Sequence, residues 1–344
     1  MMINWRESYT TYLRLVSVDT ATWSDRQTIT GVNSAKITRT ADGKLLEAGT
    51  VELVSGDFVP GYYRLVCTAV NTSGESERVD IATLYMGAGA RTYDFGAATL
   101  TVDGRSVLFP ASVKLFVGGE YAPANADGAR WVADALAECV AAPVSLEASF
   151  ILDGNIVFPF GSSVLDAAWT VLNAGGCVMQ ITGDGTIHIR NAPTVPTLEL
   201  STVNTRLIVP GIKADYALID VPNQYIAVDE FNAAVAVNDN PASPVSTVSR
   251  GFAYMRLDTS PAPVDGETLE RYAERRLAEV STVSDKRTYT REYWPGVLPY
   301  DIVRGSIPSV GLAGDMRVIT QTVNCGDGLT VSEKAAMEVN LWQI

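Results

Sequence analysis

FGSSVLDAAWTVLNAGGCVMQITGDGTIHIR, residues 160–190, reads as one helix feeding one tight hairpin. Ser163 and Asp166 have the Ser-x-x-acid spacing of a helix N-cap with a reciprocal partner. Leu165, Ala168, Trp169 and Leu172 recur at helical spacing, so one apolar stripe must face a core. Gly175-Gly176 supplies the left-handed stop that helix C-termini favour. Cys177, Met179 and Ile181 then alternate with their neighbours, as do Ile187 and Ile189. Gly183-Asp184-Gly185 between them takes positive φ without steric cost, as a hairpin turn requires. The unit has an apolar face and no reactive constellation, which makes it a scaffold module with sheet-rich segments on both sides.

On its N-terminal side, residues 4–121 read as β. Tyr9 to Val18, Val32 to Thr40, Thr50 to Leu53, Tyr62 to Val70, Arg78 to Met86 and Val113 to Val117 are the candidate strands. Asp42-Gly43 and the polar loop Asn71 to Glu77 separate some of them. Short strands at this spacing indicate a barrel or a sandwich. Tyr121 to Gly128 is small and polar and marks a first boundary. A helix from Ala129 to Ala141 follows, with Trp131, Ala135, Leu136 and Cys139 on one face and Pro143 ending it. Val144 to Phe158 is extended, turning at Asp153-Gly154-Asn155. Residues 122–195 therefore form a small α+β domain.

Pro193 and Pro196 mark a second boundary. Beyond it, Leu198 to Leu200 and Arg206 to Val209 are extended. Lys213 to Val221 and Gln224 to Val228 read as paired strands joined at Pro222-Asn223, and Ala233 to Val248 as a loop or weak hairpin. Glu267 to Val280 is a helix with Leu269, Tyr272, Ala273, Leu277 and Val280 as its stripe and Asp265 as its N-cap. Arg287 to Trp294, Asp301 to Ile307, Met316 to Cys325 and Ala336 to Trp342 return to β. Pro60, Arg78, Val79 and Thr83 match Pro299, Arg317, Val318 and Thr322 at one offset, each set spanning strand, Gly-containing loop and strand. The match suggests a duplicated barrel.

The 344 residues suggest two or three domains, and 47% hydrophobic with 19% charged residues is ordinary for a globular chain. A net charge of −13 argues against a broad nucleic-acid surface or docking on anionic lipid. It leaves room for an acidic inner wall past which a polyanion slides without sticking. No apolar run reaches the ~18 residues of a membrane span, and Met1 to Glu7 lacks a signal-peptide core. Cys67, Cys139, Cys177 and Cys325 are far apart and form no Cys-x-x-Cys pair, as expected of reduced thiols.

The residues that could carry reactive chemistry all read as structural. His188, the single histidine, sits between Ile187 and Ile189 and should face away from them. No Gly-x-Ser-x-Gly supplies a nucleophile for it. Among 39 acidic residues, Asp229-Glu230 reads as a solvated turn, and Asp80 and Asp301 as barrel-lining or inter-strand charges. Gly183-Asp184-Gly185, Gly87-Ala88-Gly89-Ala90 and Asp153-Gly154-Asn155 lack the context of phosphate or calcium loops. The aromatics Trp5, Trp23, Tyr62, Tyr63, Tyr289, Tyr293 and Trp294 divide between core and subunit interface, with Tyr62-Tyr63 and Tyr293-Trp294 each placing one ring on either face of a strand. No catalytic, cofactor-binding or metal-binding residue is assigned.

A run of short motifs in the C-terminal half carries a family resemblance: Ala273-Glu274-Arg275-Arg276-Leu277, Tyr289-Thr290-Arg291-Glu292-Tyr293, Trp294-Pro295-Gly296-Val297-Leu298-Pro299-Tyr300-Asp301-Ile302-Val303, Gly311-Leu312-Ala313-Gly314, Arg317-Val318-Ile319-Thr320-Gln321 and Gly328-Leu329-Thr330-Val331-Ser332-Glu333. With Val221-Pro222-Asn223-Gln224-Tyr225-Ile226 and the central helix-hairpin, these resemble the baseplate hub proteins of phage tails and tail-derived injection particles. The resemblance spans residues 30 to 340 in order.

It implies an α+β, mainly β chain with two tail-tube-like β-barrel domains flanking and packed with a small α+β domain: 1–121, 122–195, and 196–344 with an inserted loop and helix at 265–283. It further implies a homotrimer whose six barrels match a sixfold tail tube on one side and a threefold tip or spike on the other. The implied partners are the tail tube or distal tail protein, the spike or tip protein and the tape measure protein. DNA would pass through the lumen without specific binding, with no membrane insertion and no cofactor, in a virion tail assembled in the host bacterial cytoplasm. Some relatives carry a peptidoglycan-cleaving domain; the chain ends at Ile344 just after the last barrel strand, which leaves no room for one. A tail-associated cell-wall hydrolase and a receptor- or carbohydrate-binding tail protein are the competing readings.

Overall fold

The computed structural model describes residues 8–41, 43–54, 58–87, 89–94, 97–201, 212–215, 218–263, 267–326 and 328–341. Trp5, Asp42, Ala88, the stretch 206–209, Asp265 and Trp342 lie outside the described residues. The chain is mainly β with a few helices, as expected. It divides into two compact units, Met1–Ile212 with Thr288–Ala335 and Lys213–Arg287 with Ala336–Ile344.

The first unit opens with β1 (Tyr9–Val18), β2 (Asp25–Ile29), β3 (Val32–Thr40), β4 (Glu47–Leu53), β5 (Gly61–Asn71), β6 (Ser76–Met86), β7 (Ala90–Asp94) and β8 (Ala97–Ser106). The helix-rich stretch follows as α1 (Phe109–Val113), β9 (Glu120–Ala122), α2 (Gly128–Ala137), β10 (Val144–Leu146), β11 (Ile156–Phe158), α3 (Val164–Ala174), β12 (Cys177–Ile181) and β13 (Ile187–Asn191), then β14 (Pro196–Leu200). The second unit holds β15 (Lys213–Asp215), β16 (Gln224–Val228), β17 (Ala233–Val237), α4 (Thr247–Arg250), β18 (Met255–Asp258) and α5 (Leu269–Val280). β19 (Thr282–Glu292), β20 (Ile302–Ile307), β21 (Leu312–Cys325) and β22 (Leu329–Asn340) complete the chain.

In the first unit the main sheet runs β2-β1-β5-β6-β8-β4-β3-β21-β22, with β7 on β8, β20 on β21 and β14 on β20. β1 pairs antiparallel with β5 from Tyr9↔Asn71 to Ser17↔Tyr63, and β5 with β6 across one register shift at Leu65/Val66. β14–β20 is parallel. β5 is buried on both faces over residues 63–67, as its largely apolar sequence dictates. Leu15, Ile37, Val51, Leu65, Cys67, Ile81, Leu84 and Val102 share a core with Val323, Cys325 and Val331. The C-terminal strands thus finish the N-terminal core, through the ladder Thr320↔Thr40 to Cys325↔Ala35.

One expectation fails here. Val113 to Val117 is not a strand: α1 takes Phe109–Val113, and Leu115 makes only an isolated bridge to Ser163. Residues 90–106, which show no clean alternation, form β7 and β8. Gly104 and Gly49 lie where a Cβ would come within 2.7 Å of Leu84 Cδ1, so close packing selects glycine in these strands.

The helix-rich module has a core of its own. Val132, Leu136, Leu165, Ala168, Val171 and Leu172 pack against Met179, Ile181, Ile187 and Ile189. Val107, Leu108 and Ala111 join them from ahead of residue 122. Ser163 caps α3, its Oγ accepting from Asp166 N at 3.0 Å. The Asp166 carboxylate pairs with Lys44 Nζ and also meets the Ser163 side chain, and both contacts hold its pKa below the usual carboxylate range. Gly176, at φ +63°, is the left-handed residue at the end of α3. β12 is buried throughout, and Gln180 gives its outer face a polar contact described below.

The second unit is a three-stranded sheet, β17-β16-β18, with α5 on one face. Tyr225, Ala227, Ala234 and Ala236 meet Tyr272, Ala273 and Leu277. Tyr225 and Tyr272 both donate to Asp258 Oδ2, at 2.9 and 2.7 Å. The partner of Gln224–Val228 is Ala233–Val237, not the segment before Pro222. The buried Asn223 explains part of this: its Nδ2 donates to Phe252 O at 3.0 Å and its Oδ1 accepts from Tyr254 N at 2.7 Å, which brings β18 alongside β16. Thr268 caps α5 by accepting from Arg271 N.

Candidate functional site

The chemically most organised place in the first unit is a junction, built around the β12–β13 hairpin. Its tip, Gly183-Asp184-Gly185, docks on β5 and β6. Thr83 Oγ1 donates to Gly183 O at 2.9 Å, Arg64 Nη2 to Asp184 O at 3.0 Å, and Trp23 Nε1 to Asp184 O at 2.8 Å. A Cβ on Gly183 would stand 1.7 Å from Asp80 O. Gly185, at φ +84°, lies under Trp23 and Thr83. Arg64 also reaches Asp25 Oδ1 at 2.5 Å, and Arg78 bridges Asp25 at 2.7 Å and Asp80 at 2.9 Å. Asp80 is therefore an inter-strand charge, as expected. Burial pushes the Asp184 carboxyl up, but hydrogen bonds from Thr182 and Thr186 outweigh it and hold the group below the usual range.

The shaft of the same hairpin meets the C-terminal half. Asp301 Oδ1 accepts from Arg190 Nη2 at 2.5 Å and from Gln180 Nε2 at 3.1 Å, while its Oδ2 accepts from Leu298 N at 2.8 Å. Burial raises the Asp301 pKa against these contacts. α3 adds a third attachment, Trp169 Nε1 donating to Lys44 O at 3.0 Å. The scaffold reading of residues 160–190 thus acquires its geometry: one module touches strands from both ends of the chain.

Two pairs of buried charged residues lie in the same unit. Arg291 and Glu333 are fully buried, joined by Nε to Oε2 at 2.9 Å and Nη2 to Oε1 at 2.5 Å. Gln321 Nε2 adds a bond to Glu333 Oε1 at 2.6 Å. Glu47 shares a small cavity with Arg39, Gln180 and Pro299. Its nearest cation is Arg39 Nε at 3.5 Å, and neither carboxylate oxygen has a hydrogen-bond partner among the described residues. Burial, only partly countered by Arg39, pushes the Glu47 pKa up to about 7.

The unfolded chain ionises Glu47 at the ordinary carboxylate pKa, so the fold gains relative stability where this group is protonated. That contribution is complete below the ordinary value and is lost as the pH rises to about 7. Glu47→Gln should therefore remove about 3 kcal/mol of pH dependence between pH 4.5 and 7. Denaturant unfolding of both proteins across this range checks it; parallel profiles would refute the assignment.

The remaining candidates resolve individually. His188 is half-exposed, with Nδ1 2.5 Å from Glu147 Oε1 and Nε2 3.4 Å from Thr182 Oγ1. This is the order of a hydroxyl–imidazole–carboxylate relay. The Thr182 hydroxyl, however, gives its hydrogen to Asp184 Oδ1 at 2.6 Å, the shorter contact, so the group stabilises the turn instead of being activated as a nucleophile. Asp229 accepts from Phe231 N and Asn232 N, a turn as expected. No cluster of three or more His, Cys, Asp or Glu among the described residues is arranged to hold a metal. All four cysteines are free, and burial raises Cys67 to about 11 and Cys325 to about 12.

Within the chain, Tyr63 packs on Phe58 at 4.6 Å, and its neighbour Tyr62 meets Trp23 and Tyr85 at 5.5 and 5.4 Å. Tyr293 and Trp294 both pack on the N-terminal core. Sequence reasoning missed the docking role of Arg64, Thr83 and Gln180, whose only signal is that they are polar residues in otherwise apolar strands.

No protein-family model and no curated protein matches this sequence. Solved structures do: the fold is that of phage tail proteins. The chain is similar to the 43 kDa tail protein of prophage MuSo2 from Shewanella oneidensis, with TM-score 0.61 and 14% identity over 95% of this chain and 97% of that one. It is similar to the tail protein from Neisseria meningitidis MC58, with TM-score 0.59 and 13% identity over 96% of each. A chain of the half-lidded Francisella PdpA–VgrG complex gives TM-score 0.54 and 8% identity over 98% of this chain and 59% of that one. What these proteins share with this chain is the fold. No helix among the described residues is long and apolar enough to cross a membrane.

Proposed function

We propose that this chain is a non-enzymatic structural protein of a phage tail baseplate, a hub that acts as a homotrimer. Three copies, each with two tail-tube-like barrels within 1–121 and 196–344 and a middle domain at 122–195, adapt a sixfold tube to a threefold tip and surround a channel for DNA. Its partners are the tail tube or distal tail protein, the spike or tip protein and the tape measure protein, and its place is the virion tail, assembled in the host cytoplasm.

The observation that carries this reading is the end-to-end likeness of fold to the Shewanella prophage tail protein. Two further features support it. The pairs β5–β6 and β20–β21, which hold the matched Pro60/Pro299 segments, are both antiparallel hairpins. The net charge of −13 suits a channel wall that repels DNA. In an assembly extract lacking this chain, tails should not form, and the purified chain should restore them; tails of normal form without it would overturn the reading.

A further inference from the structure

A groove beside α2 is used by none of the contacts described above. Phe116 and Trp131 form its floor, and Glu120, Asp134 and Glu138 its rim. It encloses about 510 Å³ of space open to solvent, and no basic side chain lines it. The floor is fixed: Trp131 stacks on Phe158 at 5.4 Å, and Phe158 on Phe116 at 6.1 Å. Asp134 and Glu138 lie one turn apart at the C-terminal end of α2, where the helix dipole also favours a cation.

Asp134 pairs with Arg130 at 3.1 Å and Glu138 with Lys114 at 3.2 Å, but all four side chains are exposed. Exposed pairs of this kind contribute only about 0–1 kcal/mol, so an incoming cation can exchange with them. An aromatic floor within a carboxylate rim is complementary to a positive charge carried on an apolar stem.

We propose that this groove docks a lysine- or arginine-bearing segment of a partner protein, its cation over Trp131 and between Glu120, Asp134 and Glu138. The proposal rests on reading the chain as an assembly protein. The test titrates the full chain calorimetrically with acetyl-Phe-Arg-Phe-Arg-amide and with acetyl-Phe-Glu-Phe-Glu-amide. The basic peptide should bind, the acidic one should not, and raising the salt should weaken binding about tenfold.

The combined variant Glu120→Gln, Asp134→Asn and Glu138→Gln changes exposed side chains only and should bind about tenfold more weakly. Trp131→Leu provides a second loss. Equal binding of both peptides, undiminished binding by the triple variant, or no binding of the basic peptide overturns the proposal. So does a change in oligomeric mass in the triple variant, which would make a second copy the occupant. Because the titration does not depend on symmetry, a monomer that binds the basic peptide removes only the hub reading, and a trimer that ignores it removes only the groove.

Discussion

Gly183→Ala is expected to lower the stability of the first unit by about 4 kcal/mol. The added Cβ would stand 1.7 Å from the backbone oxygen of Asp80, whose residue is paired with Val66 between β5 and β6 and has little freedom to retreat. The hairpin tip must lift instead. Lifting breaks the bonds from Thr83, Arg64 and Trp23 to the tip carbonyls and leaves the Arg64 guanidinium, which is 8% exposed, with one acceptor fewer beside Asp25. A neutral hydrogen bond contributes about 1 kcal/mol and one from a charged donor about twice that, which together reach the stated figure. Gly154→Ala is the control, since a Cβ there meets nothing within 4 Å, and it should change stability by less than about 0.5 kcal/mol. Denaturant unfolding followed by tryptophan fluorescence checks both; equal midpoints for the two variants would show that the tip does not dock.

Arg291→Met should cost about 3–5 kcal/mol, because it leaves the Glu333 carboxylate buried without its cation. The double variant Arg291→Met with Glu333→Leu should recover most of the loss, since the pair's attraction largely offsets the desolvation of two charges. Calorimetric melting of the single and double variants provides the comparison. A double variant as unstable as Arg291→Met alone would mean that the pair contributes through its shape and hydrogen bonds, including that from Gln321, more than through its charge balance.

Local signals carried much of the fold. The Ser163 cap, the stop at Gly176, the β1, β3 and β5 strands and the α5 stripe each depend on residues within a few positions of one another, and all are present. Segments whose structure depends on distant neighbours were less legible. β8 contains Gly104 because Leu84 lies against it, and Ala233–Val237 is a strand because α5 covers its alanines. Gly183 shows the difference sharply: its sequence context suggests a turn former, yet its φ is not positive, and it is held to glycine by the nearness of Asp80.

The same reasoning explains what was hidden at the junction. A carbonyl that accepts a distant arginine leaves no trace in composition or spacing. Arg291 and Glu333 are 42 residues apart in sequence and look there like ordinary surface charges. Tyr62 and Trp294, large and amphipathic, carry equal promise for a core and for an interface, and their contacts with Trp23 and with the N-terminal core come from residues distant in sequence.

The most direct test of the hub reading is the mass and rotational symmetry of the purified chain, measured in solution and in averaged electron micrographs. A closed particle of three times the 36.9 kDa chain mass, with threefold symmetry and a central hole, is the expected result. A stable monomer that forms no ring at any concentration would contradict it.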